Sequence, residues 1–403
     1  MAVKRQEKGF NTENDKMYRI QVYNKIAQVG LNLLDKSYYE ISNYIENPDA
    51  ILLRSHQLIQ DQIPASVKAI GRAGAGVNNI PLEYCAKNNI VVFNTPGANA
   101  NAVKELVIGM LFLAYRNTND GINFVKTLTN ESELDQVVEK NKSNFKGQEI
   151  KGKKALVIGL GAIGLMVANT MEQLGLEVYG YDPYISIQHA WGLSRQVQQV
   201  ENLNDVLSQM DVISLHLPLI EQTNNFFNEE KINQCKDSAI VMNFSRAPIV
   251  DEKAMKAALD ANQIHRYIND FPSQLLLNHP KVIATPHLGA STSEAEDNCA
   301  VMVCDQINNF LQYGNIKNSV NFPDCQLGLK KETCRLIIIN TNKPNMVSMI
   351  LSSFEAEHIN ISEMINKSKN GTAYNILEID KTPSESLTQT IKKMDGVLSL
   401  RII

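Results

Sequence analysis

The stretch ALVIGLGAIG, residues 155–164, decides the fold of this chain. Its apolar run leads into Gly159, Gly161 and Gly164, which form the pattern G-x-G-x-x-G at the start of a helical pattern. The first glycine permits a tight turn, the second lets a pyrophosphate approach the backbone, and the third lets the helix pack closely on the strand. Asp182 ends the next apolar run, where a carboxylate accepts hydrogen bonds from ribose hydroxyls and repels a 2′-phosphate. The stretch predicts a Rossmann domain that binds NAD rather than NADP, the alternative being an ordinary strand-to-helix turn.

Short apolar runs alternate with helical patterns on both sides of this motif. They stand at residues 20–23, 51–53 and 91–94 before it, and at 178–182, 211–218 and 239–245 after it. This alternation is typical of parallel sheets with helical crossovers, so we predict two α/β domains. A second glycine cluster, GRAGAGVNN at 71–79, lacks the third glycine and the spaced acid, and is interpreted as an anion-binding loop.

The last third of the chain predicts a long helix and then a small domain. The helix is expected to begin at Ser291, whose side chain would form a capping box with Glu294, and to end at Gly314. Beyond a linker, strand and helix patterns follow in the order βαββαβ over 332–403, which is the ferredoxin-like arrangement.

Composition narrows the functional class. The 403 residues carry a formal net charge of -4, which provides no general attraction for a nucleic acid backbone. The longest apolar stretch, 106–115, is too short to span a bilayer and is interpreted as a buried helix. Six scattered cysteines without a CxxC pair indicate reduced thiols in a cytoplasmic protein. We predict neither a nucleic acid nor a membrane partner, no metal site, and a mobile extension at residues 1–16.

Two side chains are candidates for redox chemistry on a 2-hydroxy acid. Arg246, in NFSRAPIVDE, and His287, in TPHLGAST, both follow apolar strands of the second domain. Such a reaction needs a cation for the carboxylate and an acid/base of near-neutral pKa for the hydroxyl. Taken singly, each residue has an alternative explanation, as a surface arginine or as an ordinary loop histidine.

Several stretches together resemble the D-isomer-specific 2-hydroxyacid dehydrogenases, most closely the members that act on D-3-phosphoglycerate. The matching stretches are GRAGAGVNNI, FNTPGANANAVKELVIGM, GLGAIG, YDPY, LHLP, NFSRAPIVDE, TPHLGAST and SVNFP. The resemblance implies an oxidoreductase that converts D-3-phosphoglycerate and NAD to 3-phosphohydroxypyruvate and NADH, the first step of the phosphorylated pathway of L-serine biosynthesis. It also implies a split substrate-binding domain at 17–115 and 291–326 around an NAD-binding domain at 116–290.

The same resemblance assigns the site residues. It implies that Arg246 binds the carboxylate and that His287 is the proton donor in oxoacid reduction. The implied cofactor contacts are Gly159, Gly161, Ala162, Ile163, Gly164, Asp182, Phe244, Ser245, Arg246, Asp270, His287, Leu288, Gly289 and Ala290. The implied substrate contacts are Arg54, Ser55, Arg72, Ala75, Gly76 and Asn99. For Arg54 and Arg72, pairing with a nearby acid remains an alternative.

One position departs from the family pattern. The family places a glutamate that pairs with the histidine where this chain has Gln274, in NDFPSQLL. An amide can orient an imidazole through a hydrogen bond, but it does not stabilise the imidazolium as a carboxylate does. We therefore expect Gln274 to take the catalytic glutamate's place, and His287 to lose its proton at a lower pH than in relatives. The alternative is that Asp270 or a residue of another segment supplies the missing negative charge.

Residues 332–403 resemble an ACT domain, a ligand-sensing module of amino-acid metabolism. The resemblance implies that Asn340, Asn342 and Asn360 bind an effector, with L-serine the expected ligand, in a homodimer or homotetramer. A purely oligomer-forming domain is the alternative. For the whole chain, another D-2-hydroxyacid dehydrogenase and an NAD-sensing corepressor remain the alternative functions.

Overall fold

The computed structural model describes residues 17–129 and 132–403, so the extension predicted at 1–16 lies outside the described part of the chain. The chain divides into two compact units. One combines the chain up to Ala98 with Glu296–Ile403, and the other is formed by Asn99–Ala295. We call them the discontinuous unit and the central unit.

The N-terminal part of the discontinuous unit is a five-stranded parallel sheet of order β2-β1-β3-β4-β5. Its elements are β1 (Tyr18–Val22), α1 (Gln28–Leu31), β2 (Tyr39–Ser42), β3 (Ala50–Leu53), β4 (Ala69–Arg72), α2 (Leu82–Lys87) and β5 (Val91–Phe93). The runs predicted as strands at 20–23, 51–53 and 91–94 are confirmed, since β3 and β5 are buried throughout and form the core. The strand order reverses direction between β1 and β3, and ligands of open parallel sheets bind at such a point.

The central unit contains a seven-stranded sheet of order β12-β11-β10-β9-β6-β7-β8, and every neighbouring pair is parallel. Its elements are α3 (Ala100–Arg116), α4 (Thr118–Thr127), α5 (Leu134–Asn141), β6 (Lys154–Ile158), α6 (Ala162–Gln173), β7 (Glu177–Tyr181), α7 (Ile187–Gly192), β8 (Gln198–Gln199), β9 (Val212–Leu215), α8 (Glu229–Asn233), β10 (Ile240–Asn243), α9 (Glu252–Asp260), β11 (Arg266–Asn269) and β12 (Val282–Ala284). The predicted α/β fold with two Rossmann-like sheets is confirmed.

The predicted domain boundary at residue 115 needs correction. The apolar run at 106–115 is a helix as predicted, but that helix, α3, belongs to the central unit. Val103, Val107 and Leu111 pack into the same core as Val157 and Val167. Because this face of α3 is buried against the second sheet, the boundary lies before the helix and not after it.

Helix α10, Ser293–Tyr313, is the long helix predicted after the second sheet, and it begins two residues later than expected. Ser291 N–H donates to Leu288 O at 2.9 Å, so Ser291 belongs to the preceding loop. The side chain that caps the helix is Thr292, whose Oγ1 accepts from Ala295 N–H at 3.1 Å. Gly314 ends the helix with φ +70°, as predicted. Among the described residues, no helix has both the length and the apolarity needed to cross a membrane.

The C-terminal module, which we define as Cys334–Ile402, confirms the predicted order βαββαβ. Its elements are β13 (Cys334–Thr341), α11 (Met346–Ser352), β14 (Ile361–Lys369), β15 (Thr372–Ile379), α12 (Glu385–Lys393) and β16 (Val397–Ile402). They form an antiparallel sheet of order β14-β15-β13-β16. One face, including Leu336 and Leu377, packs against α11 and α12.

The other face of this sheet is also covered. Ile337 and Tyr374 join the apolar core that contains Phe310 and Phe322 of the same unit. Arg335 is fully buried beside Glu378, with Nε at 3.0 Å from Oε1, and its Nη1 donates to Tyr313 O and Gly328 O at 2.8 and 2.9 Å. The module is therefore fixed to the end of α10 by both apolar packing and a buried ion pair.

Candidate active site

The glycine turn after β6 has the shape that a dinucleotide needs. Gly159 has φ +88°, and a Cβ there would lie 2.6 Å from His216 O. A Cβ on Gly164 would lie 1.8 Å from Gly159 O, so the third glycine is required for close packing of α6. In contrast, a Cβ on Gly161 would meet no atom within 4 Å. The open space lies at the amino end of α6, where Ala162 and Ile163 belong to the first turn and backbone N–H groups lack helical partners.

Asp182 lies at the carboxyl end of β7, next to this turn. Its carboxylate accepts from Leu160 N–H at 2.8 Å and from Tyr184 N–H at 2.9 Å. These two bonds fix the carboxylate beside the glycine turn, where it can also accept from a ribose hydroxyl. The residues present therefore fit NAD.

The strand end after β10 carries the candidate anchoring cation. Ser245 is buried, and its hydroxyl donates to Leu215 O at 2.6 Å and accepts from Leu217 N–H at 3.0 Å. Ser245 therefore joins the segment after β10 to the end of β9, and Phe244 beside it is buried. Arg246 follows with an exposed side chain whose Nη1 donates to Ser245 O at 2.7 Å. One guanidinium nitrogen is thus anchored, while the side chain as a whole faces solvent.

His287 lies in the loop after β12, which residues 285–290 form. Its side chain is exposed, its φ is +56°, and its ring centroid is 5.0 Å from that of Phe271. Because all these strands are parallel, Asp182, Arg246 and His287 lie along the same edge of one sheet. The structure thus brings the two predicted catalytic residues to the edge that carries the glycine turn.

The loop that carries His287 is held by Asp270, a role that sequence reasoning missed. Asp270 is 2% exposed, and its carboxylate accepts from Thr285 Oγ1 at 2.6 Å, Leu288 N–H at 2.7 Å and Gly289 N–H at 2.7 Å. Its backbone oxygen accepts from His287 N–H at 3.0 Å. An acid directly after a buried strand was the available signal, but the sequence could not show which loop it would bind.

The expected partnership of Gln274 with the histidine is not what the structure contains. The Gln274 side chain is exposed, and no hydrogen bond joins it to His287 within residues 132–403. The chain turns after Phe271 so that Leu276 is buried, and this leaves Gln274 facing solvent. The anchor of the histidine loop is Asp270.

In the discontinuous unit, two arginines lie at adjacent strand ends. Arg54 follows β3 and Arg72 ends β4, next to the point where the strand order reverses. Arg72 Nε donates to Arg54 O at 3.1 Å, and a Cβ on Gly74 would lie 2.5 Å from Arg72 Nη1. The glycine loop therefore lies directly against this guanidinium. Arg54 Nη1 forms an ion pair with Glu296 Oε1 at 2.6 Å, so the alternative of pairing with a nearby acid applies to Arg54.

The other predicted substrate contacts are distributed differently. Ser55 is exposed next to Arg54, while Ala75 and Gly76 are half-buried in the glycine loop. Asn94 Nδ2 donates to Ala75 O at 2.6 Å and so holds this loop. Asn99 belongs to the central unit, where it precedes α3.

The three predicted effector residues do not form one site within a single chain. Asn340 is 1% exposed, and its Oδ1 accepts from Asn375 Nδ2 at 2.7 Å. Its side chain is therefore used in a hydrogen bond inside the module. Asn342 N–H donates to Gly371 O at one end of β15, whereas Asn360 N–H donates to Asp380 Oδ1 at the other. The eight residues of β15 span about 25 Å. One copy of the module therefore cannot bring Asn342 and Asn360 to the same small ligand.

Comparisons with known proteins agree with this geometry. Residues 108–289 match the family described as D-isomer specific 2-hydroxyacid dehydrogenase, NAD binding domain. D-3-phosphoglycerate dehydrogenase of Haemophilus influenzae is 31% identical over 378 residues, covering 90% of this chain and 88% of the relative. The enzyme of the same name from Escherichia coli K12 is 30% identical over 380 residues, covering 90% and 89%. Among solved structures, NAD+-bound 3-phosphoglycerate dehydrogenase of Entamoeba histolytica superposes with a TM-score of 0.60 at 28% identity, covering 76% of this chain and 99% of that one.

Proposed function

The chain belongs to the D-isomer-specific 2-hydroxyacid dehydrogenases, and we propose that it oxidises D-3-phosphoglycerate to 3-phosphohydroxypyruvate with NAD+. The reaction is the first step of the phosphorylated route to L-serine. The observation that carries the proposal is the single sheet edge that presents the glycine turn, Asp182, Arg246 and His287 together. The relatives named D-3-phosphoglycerate dehydrogenase, which match along most of the chain, support the choice of substrate.

Gly161 and Asp182 would hold the cofactor. The pyrophosphate would lie against the backbone at Gly161, and the Asp182 carboxylate would accept hydrogen bonds from the ribose hydroxyls. When bound, NAD+ supplies the hydride acceptor. The chain's own residues supply the rest. The guanidinium of Arg246 binds the substrate carboxylate and stabilises negative charge on the C2 oxygen. His287 takes the hydroxyl proton during oxidation and returns it during reduction.

The loop geometry supports this role for His287. Three hydrogen bonds to the Asp270 carboxylate and one to its backbone oxygen keep the His287 backbone in a conformation with positive φ, which L residues rarely adopt. A fixed backbone at His287 reduces the entropy that must be lost when the imidazole reaches the reactive geometry. Asp270 is therefore a positioning residue in this proposal.

The phosphate is assigned to the paired arginines of the discontinuous unit. Arg54 and Arg72 provide two cations at neighbouring strand ends, and the loop at Ala75 and Gly76 adds backbone N–H groups. Arginine is suited to phosphate because its planar fork donates two parallel hydrogen bonds.

Initial rates of NADH oxidation test the proposal. We would compare 3-phosphohydroxypyruvate with pyruvate, 2-oxoglutarate and glyoxylate, and expect kcat/KM to favour the phosphorylated oxoacid by about a hundredfold or more. Preference for an unphosphorylated oxoacid would assign the chain to another branch of the family. NADH binding without turnover of any of the four would favour a cofactor-sensing protein.

Self-association, an effector and a cytoplasmic location belong to the same proposal. Helices α4 and α5 expose Ile122, Val125, Leu134 and Val138, which favours a homodimer or larger homo-oligomer. L-Serine would then bind to paired C-terminal modules acting as ACT domains, since Asn342 and Asn360 are too far apart within one. The six cysteines are free thiols, in keeping with the cytoplasm. Sedimentation with and without L-serine, together with serine inhibition of turnover, tests the first two points.

A further inference from the structure

The phosphate-assigned Arg54 already has an anionic partner in this structure. Its Nη1 lies 2.6 Å from Glu296 Oε1. Glu296 lies in the first turn of α10, so a rigid helix carries the carboxylate to the end of β3. No other acid lies within ion-pair distance of Arg54 among residues 17–129 and 132–403. The contact is therefore specific to this pair.

Arg72 is part of the same charged cluster. Cys299, one turn after Glu296 on α10, is buried, and burial raises the pKa of its thiol. The positive charges of Arg54 and Arg72 act to lower that pKa, and the Glu296 carboxylate acts to raise it. Both arginines and the carboxylate therefore lie near the Cys299 thiol, and Arg72 Nε also donates to Arg54 O at 3.1 Å.

The partial exposure of the ion pair indicates that the Glu296 carboxylate can separate from Arg54. The side chains of Arg54 and Glu296 are 35% and 48% exposed. Partly exposed ion pairs contribute little net stability, because water solvates the separated groups well. Glu296 can therefore rotate towards solvent at small cost while Arg54 binds another anion.

We propose that Glu296 is an internal competitor for the phosphate group at Arg54, which weakens phosphate binding and so keeps the site from being held by ambient inorganic phosphate. The inference rests on the proposed function, since it takes Arg54 to be a phosphate ligand. A substrate that also binds through its carboxylate has a second source of affinity, whereas inorganic phosphate has only the arginines. Glu296 therefore lowers occupancy of the site by inorganic phosphate alone and favours release of the phosphorylated product, while the carboxylate contact keeps the substrate bound.

The test is the variant Glu296→Gln, because glutamine still accepts a hydrogen bond from Arg54 Nη1 but carries no charge. Asp305→Asn is the matched control, as it removes one negative charge from an exposed position further along α10. Calorimetric titration with inorganic phosphate at low salt should give a Kd about three- to tenfold lower for Glu296→Gln, and an unchanged Kd for Asp305→Asn. Inhibition of 3-phosphohydroxypyruvate reduction by phosphate should strengthen by the same factor. A Kd that is unchanged or higher in Glu296→Gln overturns the proposal.

Arg54→Gln separates this failure from failure of the phosphate assignment. If Arg54→Gln weakens phosphate binding and Glu296→Gln does not tighten it, the competitor role alone is wrong. If Arg54→Gln leaves phosphate binding unchanged, the phosphate site is elsewhere and both proposals lose their basis. Tightening that disappears when the two substitutions are combined supports the competitor role.

Discussion

Replacing Asp270 by asparagine should impair catalysis without loosening the cofactor. Asparagine keeps one oxygen, which can still accept from Thr285 Oγ1 and Leu288 N–H. In the parent, Gly289 N–H lies 2.7 Å from the second carboxylate oxygen. In the variant the amide nitrogen takes the place of that oxygen, so two buried hydrogen-bond donors face each other. A buried donor left without an acceptor costs about 1–3 kcal/mol, and loss of the carboxylate charge weakens the remaining bonds.

This cost falls on the loop that carries His287. If the substitution raises the free energy of the ordered loop by about 1.4–2.7 kcal/mol, kcat for oxoacid reduction should fall about 10- to 100-fold. Stopped-flow and steady-state measurements would give kcat, and NADH fluorescence would give the Kd of the cofactor. An unchanged Kd with a lower kcat agrees with positioning, whereas a raised Kd with an unchanged kcat would make Asp270 a cofactor ligand only. Gln274→Ala, at an exposed position in the same segment, should stay within about threefold of the parent because it removes no bond to the loop. A kcat for Asp270→Asn within that same range would refute the reasoning.

Four further outcomes are expected. The chain should prefer NAD over NADP by at least about tenfold in kcat/KM, and Asp182→Ser should reduce this preference. Equal kcat/KM for the two cofactors in the parent would contradict the role of the Asp182 carboxylate. Arg246→Lys should lower kcat/KM for oxoacid reduction by about 10² or more, because lysine lacks the fork, and near-normal turnover would exclude Arg246 as the anchor. Burial lowers the pKa of His216 to about 3, so the unfolded chain binds a proton that the folded chain does not between about pH 6.5 and pH 3. Urea unfolding should therefore show stability falling by up to about 1.4 kcal/mol per pH unit below pH 6.5 through this group, and His216→Gln should have a shallower slope than the parent. Arg335→Met leaves Glu378 buried without its partner and should cost about 3–5 kcal/mol in urea unfolding, partly restored by Glu378→Gln; a cost below about 1 kcal/mol would show that the pair is not needed.

The features that the sequence predicted correctly are those in which local pattern and burial agree. The strand before Gly159 is apolar and buried from Ala155 to Ile158 and lies in the interior of a parallel sheet, so the pattern identifies it clearly. The positions of Asp182, Arg246 and His287 followed from one rule, since each stands within three residues of the carboxyl end of a strand. The polar segment between 117 and 154 offered no such pattern, and its helices α4 and α5 have no buried residues among those described.

The features that were missed depend on contacts between distant parts of the chain. Pairing of Arg54 with an acid was an alternative, but its partner Glu296 lies 242 positions away, and nothing local to either residue identifies it. Asp270 was expected to touch the cofactor, and only the fold shows that its carboxylate is used by the loop at 285–289. The boundary before α3 was misplaced because an apolar helix face does not reveal which of two neighbouring cores it enters.

Because both faces of its sheet are covered, the C-terminal module cannot be treated as an independent, exchangeable domain. A domain that can be exchanged between proteins usually has a polar surface towards its neighbour, and here Ile337 and Tyr374 face inward instead. Cutting the chain at the linker before Cys334 would expose Phe310 and Phe322 and remove the donors that Arg335 provides to the end of α10. A shortened chain would thus be aggregation-prone, so gain or loss of this module during evolution would have required matching changes in α10 and the linker. Grafting the module onto another dehydrogenase would require transfer of that helix end with it.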